Sequence, residues 1–218
     1  MEYLKEIYKI NIEDFEEYSY LRNIPSLKNF QGIKIDKPVT FFVGENGSGK
    51  STLLEAIAVA LGLNPEGGSK NFNFATKETH SELGKLLEIA RGPMREEDGF
   101  FLRAESFYNS HGESFRSLIL NRFRARGIYL LDEPEAALSP TSQMSLLCII
   151  DELVKKDTQF IIASHSPIIL AYPNADIYEF SEAGIEKKSY KETESYSVTK
   201  AFLDDPERMM NFLFDYWQ

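Results

Sequence analysis

Residues Phe41–Leu54 read FFVGENGSGKSTLL, and this stretch decides the fold. The apolar run Val39–Val43 predicts a buried strand. A helix then opens at Lys50, with apolar residues at the 3.6-residue spacing of one buried face. The pattern G-x-x-x-x-G-K-[ST] between a strand and a helix is typical of a P-loop, a turn that binds phosphates.

The residue types of this turn suit a triphosphate such as ATP with Mg²⁺. Glycines let the backbone curl around the phosphates with its N–H groups inward, and the helix N-terminus adds partial positive charge. Lys50 would reach the β- and γ-phosphates, and the Ser51 hydroxyl is placed to ligate Mg²⁺. An ordinary glycine-rich turn is the alternative, which the flanking strand and helix disfavour. The predicted phosphate-binding residues are Gly44, Glu45, Asn46, Gly47, Ser48, Gly49, Lys50, Ser51 and Thr52.

Composition sets limits on the class of protein. The 218 residues are 43% hydrophobic and carry a formal net charge of −10. We expect one domain over residues 1–218, with an insertion or helical excursion at 63–109 and a C-terminal hairpin and helices at 175–218. The charge argues against a basic nucleic-acid surface over the whole molecule. Neither a signal peptide nor a membrane-length apolar run is visible, so we expect a cytoplasmic protein, and we expect its single cysteine, Cys148, to be buried.

Beyond the P-loop, strands alternate with helices, which predicts an α/β fold. We expect a P-loop NTPase of the kind whose mostly parallel central sheet is flanked by helices on both faces. Early strands are expected to add an N-terminal antiparallel β-layer. The stretch Asn64–Thr79 is polar and predicts little regular structure. The predicted strands are Leu4–Ile12, Tyr18–Ile24, Gly99–Glu105, Ile128–Leu131, Gln159–Ala163, Ile177–Phe180 and Ile185–Tyr190, and the predicted helices include Ser81–Arg91, Ser195–Leu203 and Pro206–Tyr216.

A second group of chemistry-bearing residues follows the next two apolar strands. Ile128–Glu133 fits the Walker B pattern, an apolar strand with an acid at its carboxyl end, where ligands of α/β sheets bind. Asp132 would hold Mg²⁺, and Glu133 would polarise a water for attack on the γ-phosphorus. His165 would donate a hydrogen bond to the γ-phosphate. The alternatives are solvated acids and an ordinary turn histidine.

The segments GENGSGKST, SHGES, LLDEPEAAL and ASHSP, in that order, carry a family resemblance. The chain resembles the ATP-binding cassette superfamily. Within it, the sequence is most similar to compact, stand-alone ATPases of the Rad50/SMC/RecF branch. The resemblance covers about Phe41 to Pro167. It implies two ATP molecules held between two subunits arranged head to tail. The signature segment of one subunit would then grip the ATP of the other through Ser110, His111, Gly112 and Glu113, although a serine-capped helix is the alternative reading.

Several positions depart from the family pattern. His111 replaces a signature glycine, and Ser139 stands where the D-loop aspartate is usual. The family glutamine between the P-loop and the signature is missing, and Glu105 and Asn73 are both candidates for its place. Tyr18 and Tyr20 are candidates for stacking on adenine, although packing under the sheet explains them equally well.

The resemblance therefore implies an ATP-hydrolysing switch that forms a homodimer in its ATP state. A role in DNA maintenance or defence is one hypothesis, with DNA or an unidentified protein as partner. A transporter's cytosolic subunit, which needs a membrane protein as partner, is a less favoured alternative. A nucleotide-gated binding module with negligible hydrolysis is another. The densest basic cluster, which fits a phosphate backbone or a solvated helix face, is Arg116, Arg122, Arg124 and Arg126.

Overall fold

The structure is a computed structural model, which describes residues 2–8, 23–28, 30–69, 87–103, 119 and 121–216. The strands are β1 (Leu4–Ile7), β2 (Ile33–Lys34), β3 (Val39–Gly44), β4 (Gly68–Ser69), β5 (Ile89–Arg91), β6 (Asp98–Arg103), β7 (Gly127–Asp132), β8 (Gln159–Ala163), β9 (Ala175–Ser181) and β10 (Gly184–Lys188). The α-helices are α1 (Pro25–Lys28), α2 (Lys50–Leu61), α3 (Pro140–Val154), α4 (Pro167–Leu170), α5 (Glu194–Asp204) and α6 (Pro206–Tyr216). Pro134–Ala137 and Tyr190–Glu192 form 3₁₀ turns.

The central sheet has seven strands in the order β10-β9-β3-β8-β7-β6-β4. Its five inner strands are parallel, whereas β10 and β4 run antiparallel at the two edges. Strands β7 and β8 are buried along their whole length. Continuous burial requires cover on both faces, and it explains why these strands are unbroken apolar runs rather than alternating ones. The predicted mostly parallel α/β sheet is confirmed.

Helix α2 covers one face of this sheet and α3 covers the other. The α2 residues Leu54 and Ile57 pack in one cluster with Phe42 of β3. On the opposite face, Leu146 and Ile150 of α3 pack in a second cluster with strand residues. The parallel strands place their carboxyl ends along one edge, beside the N-termini of both helices.

The ends of α2 and α3 follow from local residue types. Gly62 has φ 76° and ends α2, with its N–H bonded to carbonyls of the last turn. Ser139 caps α3 by accepting a hydrogen bond from the Ser142 N–H, and Pro140 occupies the first turn. The predicted start of α2 at Lys50 is confirmed.

A three-stranded antiparallel sheet in the order β2-β1-β5 forms the predicted N-terminal layer. The buried side chain of Gln159, the first residue of β8, joins it to the central sheet. Its Oε1 accepts hydrogen bonds from the N–H groups of Tyr3 (2.8 Å) and Leu4 (2.9 Å), and its Nε2 donates to the Leu4 carbonyl (2.8 Å). The amide of this one side chain thereby forms hydrogen bonds with the backbone at β1, much as a neighbouring strand would.

Two secondary-structure predictions for this layer need correction. The helix predicted over Ser81–Arg91 is wrong at its end, because Ile89–Arg91 is strand β5 and pairs with β1; residues 81–86 lie outside the described part. Pairing with a distant strand overrides the local helical spacing there. Of the two early strands, β1 is observed at Leu4–Ile7, and Ile24 is not in a strand, while residues 9–22 lie outside the described part.

The expectation of a buried Cys148 is wrong, because its side chain is exposed on α3. The residue lies two positions from both Leu146 and Ile150, which places it on the side of the helix away from the buried face.

The predicted terminal hairpin and the final two helices are observed, as β9, β10, α5 and α6. Within the described ranges, no helix has the length and apolarity needed to cross a bilayer.

Candidate nucleotide site

The P-loop lies at the carboxyl end of β3 and needs its glycines for two different reasons. Gly44, Gly47 and Gly49 have φ values of 141°, 80° and 104°, a region that side chains with a Cβ rarely adopt. At Gly49 space is also limiting, because a Cβ there would lie 2.6 Å from Ile24 Cγ2. At Gly44 a Cβ would lie 2.2 Å from the Phe180 carbonyl oxygen. The turn is therefore fixed by its φ angles and by its neighbours Ile24 and Phe180.

Lys50 is the first residue of α2, and its side chain folds back over the loop. Its Nζ donates hydrogen bonds to the carbonyls of Gly44 (2.7 Å) and Glu45 (2.8 Å), and the residue is only 3% exposed. Burial lowers the pKa of the Lys50 ammonium, while the carboxylates of Glu133, Asp132 and Glu135 act in the opposite direction. The ammonium is thus held at the centre of the turn, where phosphate groups would approach.

Ser51 and Asp132 bring the P-loop and the end of β7 into direct contact. The Ser51 hydroxyl donates to Asp132 Oδ1 at 3.0 Å, across 81 residues of chain. Asp132 is 7% exposed, and burial raises its pKa from the ordinary value of 3.8 to about 6, partly offset by the Ser51 hydrogen bond and the Arg103 charge. A buried carboxylate beside a hydroxyl is a candidate cation site, since both oxygens are ligands that Mg²⁺ accepts.

Glu133 follows β7 with φ 49° and ψ 53°, which is uncommon for a residue with a Cβ. Its N–H donates to the Ala163 carbonyl at 2.9 Å, which ties the end of β7 to the end of β8. The left-handed turn redirects the chain immediately after Asp132, so the two adjacent acids leave the strand in different directions. Backbone strain of this kind clusters at functional sites.

His165 faces Glu133 across the site. Its Nε2 lies 3.3 Å from Glu133 Oε1, and both side chains are about one-third exposed, at 34% and 39%. Their geometry is not that of a hydrogen bond, and within the described part of the chain this buried nitrogen has no hydrogen-bond partner. Glu45, Asn46, Glu133 and His165 line one open depression. The structure therefore brings together the two predicted catalytic residues beside the P-loop.

Glu135 is a residue of this region that the sequence reading missed. Its Oε1 accepts hydrogen bonds from the Ser164 hydroxyl (2.9 Å), the His165 N–H (2.5 Å) and the Ser166 N–H (3.2 Å). An acid in the short run DEPE reads as one more solvated carboxylate. The pattern DEPE followed by ASHS at the end of the next strand was the available clue, because neighbouring strands end side by side.

Other predicted site residues are placed as follows. Ser48 is buried, and its carbonyl accepts a hydrogen bond from the Ser26 hydroxyl. Thr52 is half-buried on α2. Strand β6 ends at Arg103, which lies opposite Asp132 in the sheet and pairs with Glu55 at 2.7 Å. The signature residues, the adenine-stacking candidates and the glutamine replacements lie outside the described residues: Ser110, His111, Gly112, Glu113, Tyr18, Tyr20, Asn73 and Glu105.

A cleft of about 360 Å³ adjoins the P-loop on the side of β9. Its lining includes the carboxylates of Glu45, Glu179, Glu182 and Glu194. Repulsion from these acids disfavours phosphate in the cleft and favours it over the P-loop turn and the α2 N-terminus. In the described part of the chain, no group of three His, Cys, Asp or Glu side chains could hold a metal alone. A magnesium ion here would depend on phosphate oxygens and water as further ligands.

The predicted basic cluster is partly engaged with its surroundings. The Arg122 guanidinium lies 4.9 Å from the centre of the Phe100 ring. Arg126 pairs with Glu97 at 3.1 Å, and both side chains are more than half exposed. Arg116 lies outside the described residues.

The strand–turn–helix at β3 and α2 and the Ser51–Asp132 contact define a P-loop α/β fold with a candidate nucleotide site. A comparison with family models matches residues 20–197 to AAA_23, described as an AAA domain, and the chain belongs to this family. None of the curated proteins compared with the chain matches it. The family and the α/β fold agree with the resemblance drawn from the motifs.

A comparison with solved structures finds matches over most of the chain at low identity. One is cbiO1 from Clostridium perfringens, part of the ABC transporter complex cbiONQ, with 14% identity, TM-score 0.46, and coverage of 98% of this chain and 99% of that chain. The SMC head domain from Thermotoga maritima has 14% identity, TM-score 0.46, and coverage of 85% and 98% respectively. MJ1267, an ATP-binding cassette of an ABC transporter, has 18% identity, TM-score 0.43, and coverage of 97% and 99%.

Proposed function

We propose that this protein binds and hydrolyses ATP, and that its ATP-bound form is a homodimer. The observation that carries the proposal is the hydrogen bond from Ser51 to Asp132, which joins the phosphate-binding turn to a buried acid at the end of β7. A glycine-rich turn without a nucleotide would gain nothing from a buried carboxylate at this point, since burial alone disfavours its charge.

Within this proposal the backbone amides of the P-loop and Lys50 bind the phosphates. Ser51 and Asp132 would hold Mg²⁺, which would offset the negative charge of the β- and γ-phosphates. The raised pKa of Asp132 fits this role, because a cation would restore the charged form that burial disfavours.

Glu133 is proposed as the residue that polarises the attacking water. Its carboxylate is exposed enough to reach solvent, lies beside Lys50 and does not share the buried position of Asp132. The free Nε2 of His165 is proposed to donate to the γ-phosphate. Its lack of a hydrogen-bond partner among the described residues supports this, because a buried polar atom without a partner is costly unless a ligand satisfies it.

The homodimer rests on the resemblance and on the open form of the site. Glu133 and His165 stand in an open depression, so a second surface is needed to exclude water from the reacting phosphate. The signature residues Ser110, His111, Gly112 and Glu113 are proposed to supply that surface in trans. The cytoplasmic location and the role in DNA maintenance or defence stay predictions.

The test combines hydrolysis with solution mass. We expect steady phosphate release from Mg-ATP by the wild type and its loss in Glu133→Gln. By light scattering, Glu133→Gln should be a dimer with Mg-ATP and a monomer with Mg-ADP. The matched control is Glu152→Gln, an exposed glutamate on α3 that should retain wild-type hydrolysis.

Each contrary result selects a different function. Tight ATP binding without measurable hydrolysis by the wild type would favour the nucleotide-gated binding module. A monomer with bound ATP would refute the homodimer. Co-purification with a membrane protein that restores hydrolysis would favour the transporter subunit.

A further inference from the structure

We infer that Glu135 is a positioning residue for His165, and through it for the γ-phosphate of ATP. The inference rests on the proposed function, because it assigns the residue that sets the geometry of a proposed catalytic side chain. The feature behind it is the set of hydrogen bonds that converge on one oxygen of the Glu135 carboxylate.

Glu135 lies in the 3₁₀ turn Pro134–Ala137 after β7, whereas its donors lie in the segment after β8. The Ser164 hydroxyl and the backbone N–H groups of His165 and Ser166 all point at Oε1. Both backbone donors precede α4 and have no helical carbonyl to bond. Three hydrogen bonds that converge on one acceptor oxygen thus hold the His165 backbone in place.

The same segment is held from its other side by α3. The Ser166 hydroxyl donates to Gln143 Oε1 at 2.5 Å, and Gln143 Nε2 donates to the Leu138 carbonyl at 3.2 Å. Ser166 also caps α4 by accepting from the N–H groups of Ile168 and Ile169. The backbone of His165 is therefore fixed between Glu135 and Gln143, while its imidazole Nε2 has no hydrogen-bond partner among the described residues.

Glu135 also fixes the distance between the two catalytic candidates. Glu133 is two residues before it in the same turn, and the Glu133 N–H is bonded to the end of β8. A backbone bond and a side-chain bond thus join the same two segments on either side of the Glu133–His165 pair. Displacement of a catalytic group by about 1 Å can reduce a rate by roughly 100-fold. Loss of the hydrogen bonds that join these two segments should therefore lower the rate of hydrolysis.

The bonding pattern predicts which substitutions succeed. Glu135→Gln keeps the length of the side chain and an acceptor oxygen for the same donors. Glu135→Asp keeps the charge but is one methylene shorter, and Glu135→Ala removes the acceptor. We expect Glu135→Ala and Glu135→Asp to lower kcat by about 10- to 100-fold and Glu135→Gln to stay within about threefold of the wild type. KM for ATP should change little in all three, because the P-loop contacts are intact.

A double-mutant cycle with His165→Ala tests whether Glu135 acts through His165. In that background, Glu135→Ala should cost no further activity beyond about twofold. The spectroscopic readout is the imidazole NMR signal of His165, one of three histidines in the chain, recorded without nucleotide. It should move in Glu135→Ala and keep its position in Glu135→Gln. Urea unfolding of each variant identifies any that fail to fold, and Glu152→Ala is the surface control.

Three outcomes would overturn the inference. They are losses that multiply in the double mutant, a Glu135→Gln variant as impaired as Glu135→Ala, and an unchanged His165 signal in Glu135→Ala. Failure of the proposed function looks different. In that case the wild type does not hydrolyse ATP, or Glu133→Gln does not reduce hydrolysis, before Glu135 is altered.

Discussion

Replacing Asp132 by Asn should stabilise the nucleotide-free protein while destroying its activity. Asp132 is buried, and burial raises its pKa from 3.8 to about 6. Each pH unit by which a pKa differs between folded and unfolded states corresponds to about 1.4 kcal/mol. The ionised carboxylate therefore costs the folded protein about 3 kcal/mol, a cost that a neutral amide of the same shape avoids. The Ser51 hydroxyl can still donate to the Asn oxygen.

The pH dependence has a definite sign. Below pH 3.8 the carboxyl is protonated in both states and contributes nothing. Between 3.8 and about 6 the folded protein holds a proton that the unfolded chain has released, so stability falls as pH rises. Above about pH 6 the full cost is present. The stability difference between Asp132→Asn and the wild type should therefore grow between pH 4 and pH 7 and then level off.

The assay is urea unfolding in EDTA at pH 5 and pH 8, with Asp215→Asn as a control at an exposed carboxylate. The control should lie within about 0.5 kcal/mol of the wild type at both values. Equal stability of Asp132→Asn and the wild type at pH 8 would refute the argument. A difference between the two proteins that is independent of pH would refute it as well. Hydrolysis of Mg-ATP should be lost in Asp132→Asn. The same substitution would then raise the free energy of unfolding and abolish activity, as expected for a functional residue that is costly to the fold.

Three further predictions concern packing and backbone. Gln159→Leu should destabilise the fold by about 3 kcal/mol in urea unfolding, because it leaves buried polar groups of β1 without partners, and a loss under 1 kcal/mol would contradict the bridge between the sheets. Tyr129→Phe should cost about 1–3 kcal/mol, because the Tyr129 hydroxyl accepts from the Arg124 N–H and donates to a carboxylate, and a variant as stable as the wild type would contradict this. Gly49→Ala should weaken ATP binding in calorimetry by more than Gly47→Ala, since both adopt positive φ but only Gly49 also lacks space; equal losses would contradict the steric part.

The parts of this fold that could be predicted are those whose pattern is local. Strands β3, β7 and β8 are apolar runs bounded by glycine, acid or serine, and the α2 and α3 boundaries follow from Gly62 and from Ser139 with Pro140. A chemistry-bearing residue at the end of such a strand is placed by the sheet itself. Asp132 and His165 could therefore be assigned to the same edge of the sheet from the strand pattern.

The parts that could not be predicted depend on long-range partners. Residues 89–91 become a strand because β1, more than 80 residues earlier, offers an edge. Gln159 looked like the polar start of an apolar strand, yet its amide is completed by the backbone of Leu4, 155 residues away. Glu135 had no local pattern either, since its donors lie 29 to 31 residues later. The residues next to each of these positions do not reveal such pairings, and for Glu135 the clue lay in the distant segment ASHS.

The folded-back Lys50 has a consequence for reading mutants of this site. An ammonium has three N–H donors. Two of them bond to the Gly44 and Glu45 carbonyls and so stabilise the conformation of the loop. Replacing Lys50 would thus remove these two hydrogen bonds as well as the positive charge that would face the phosphates. A loss of ATP affinity in Lys50→Ala would mix two effects, a weaker contact and a loop whose shape is no longer prepared. The stability of the protein without nucleotide is the quantity that separates them.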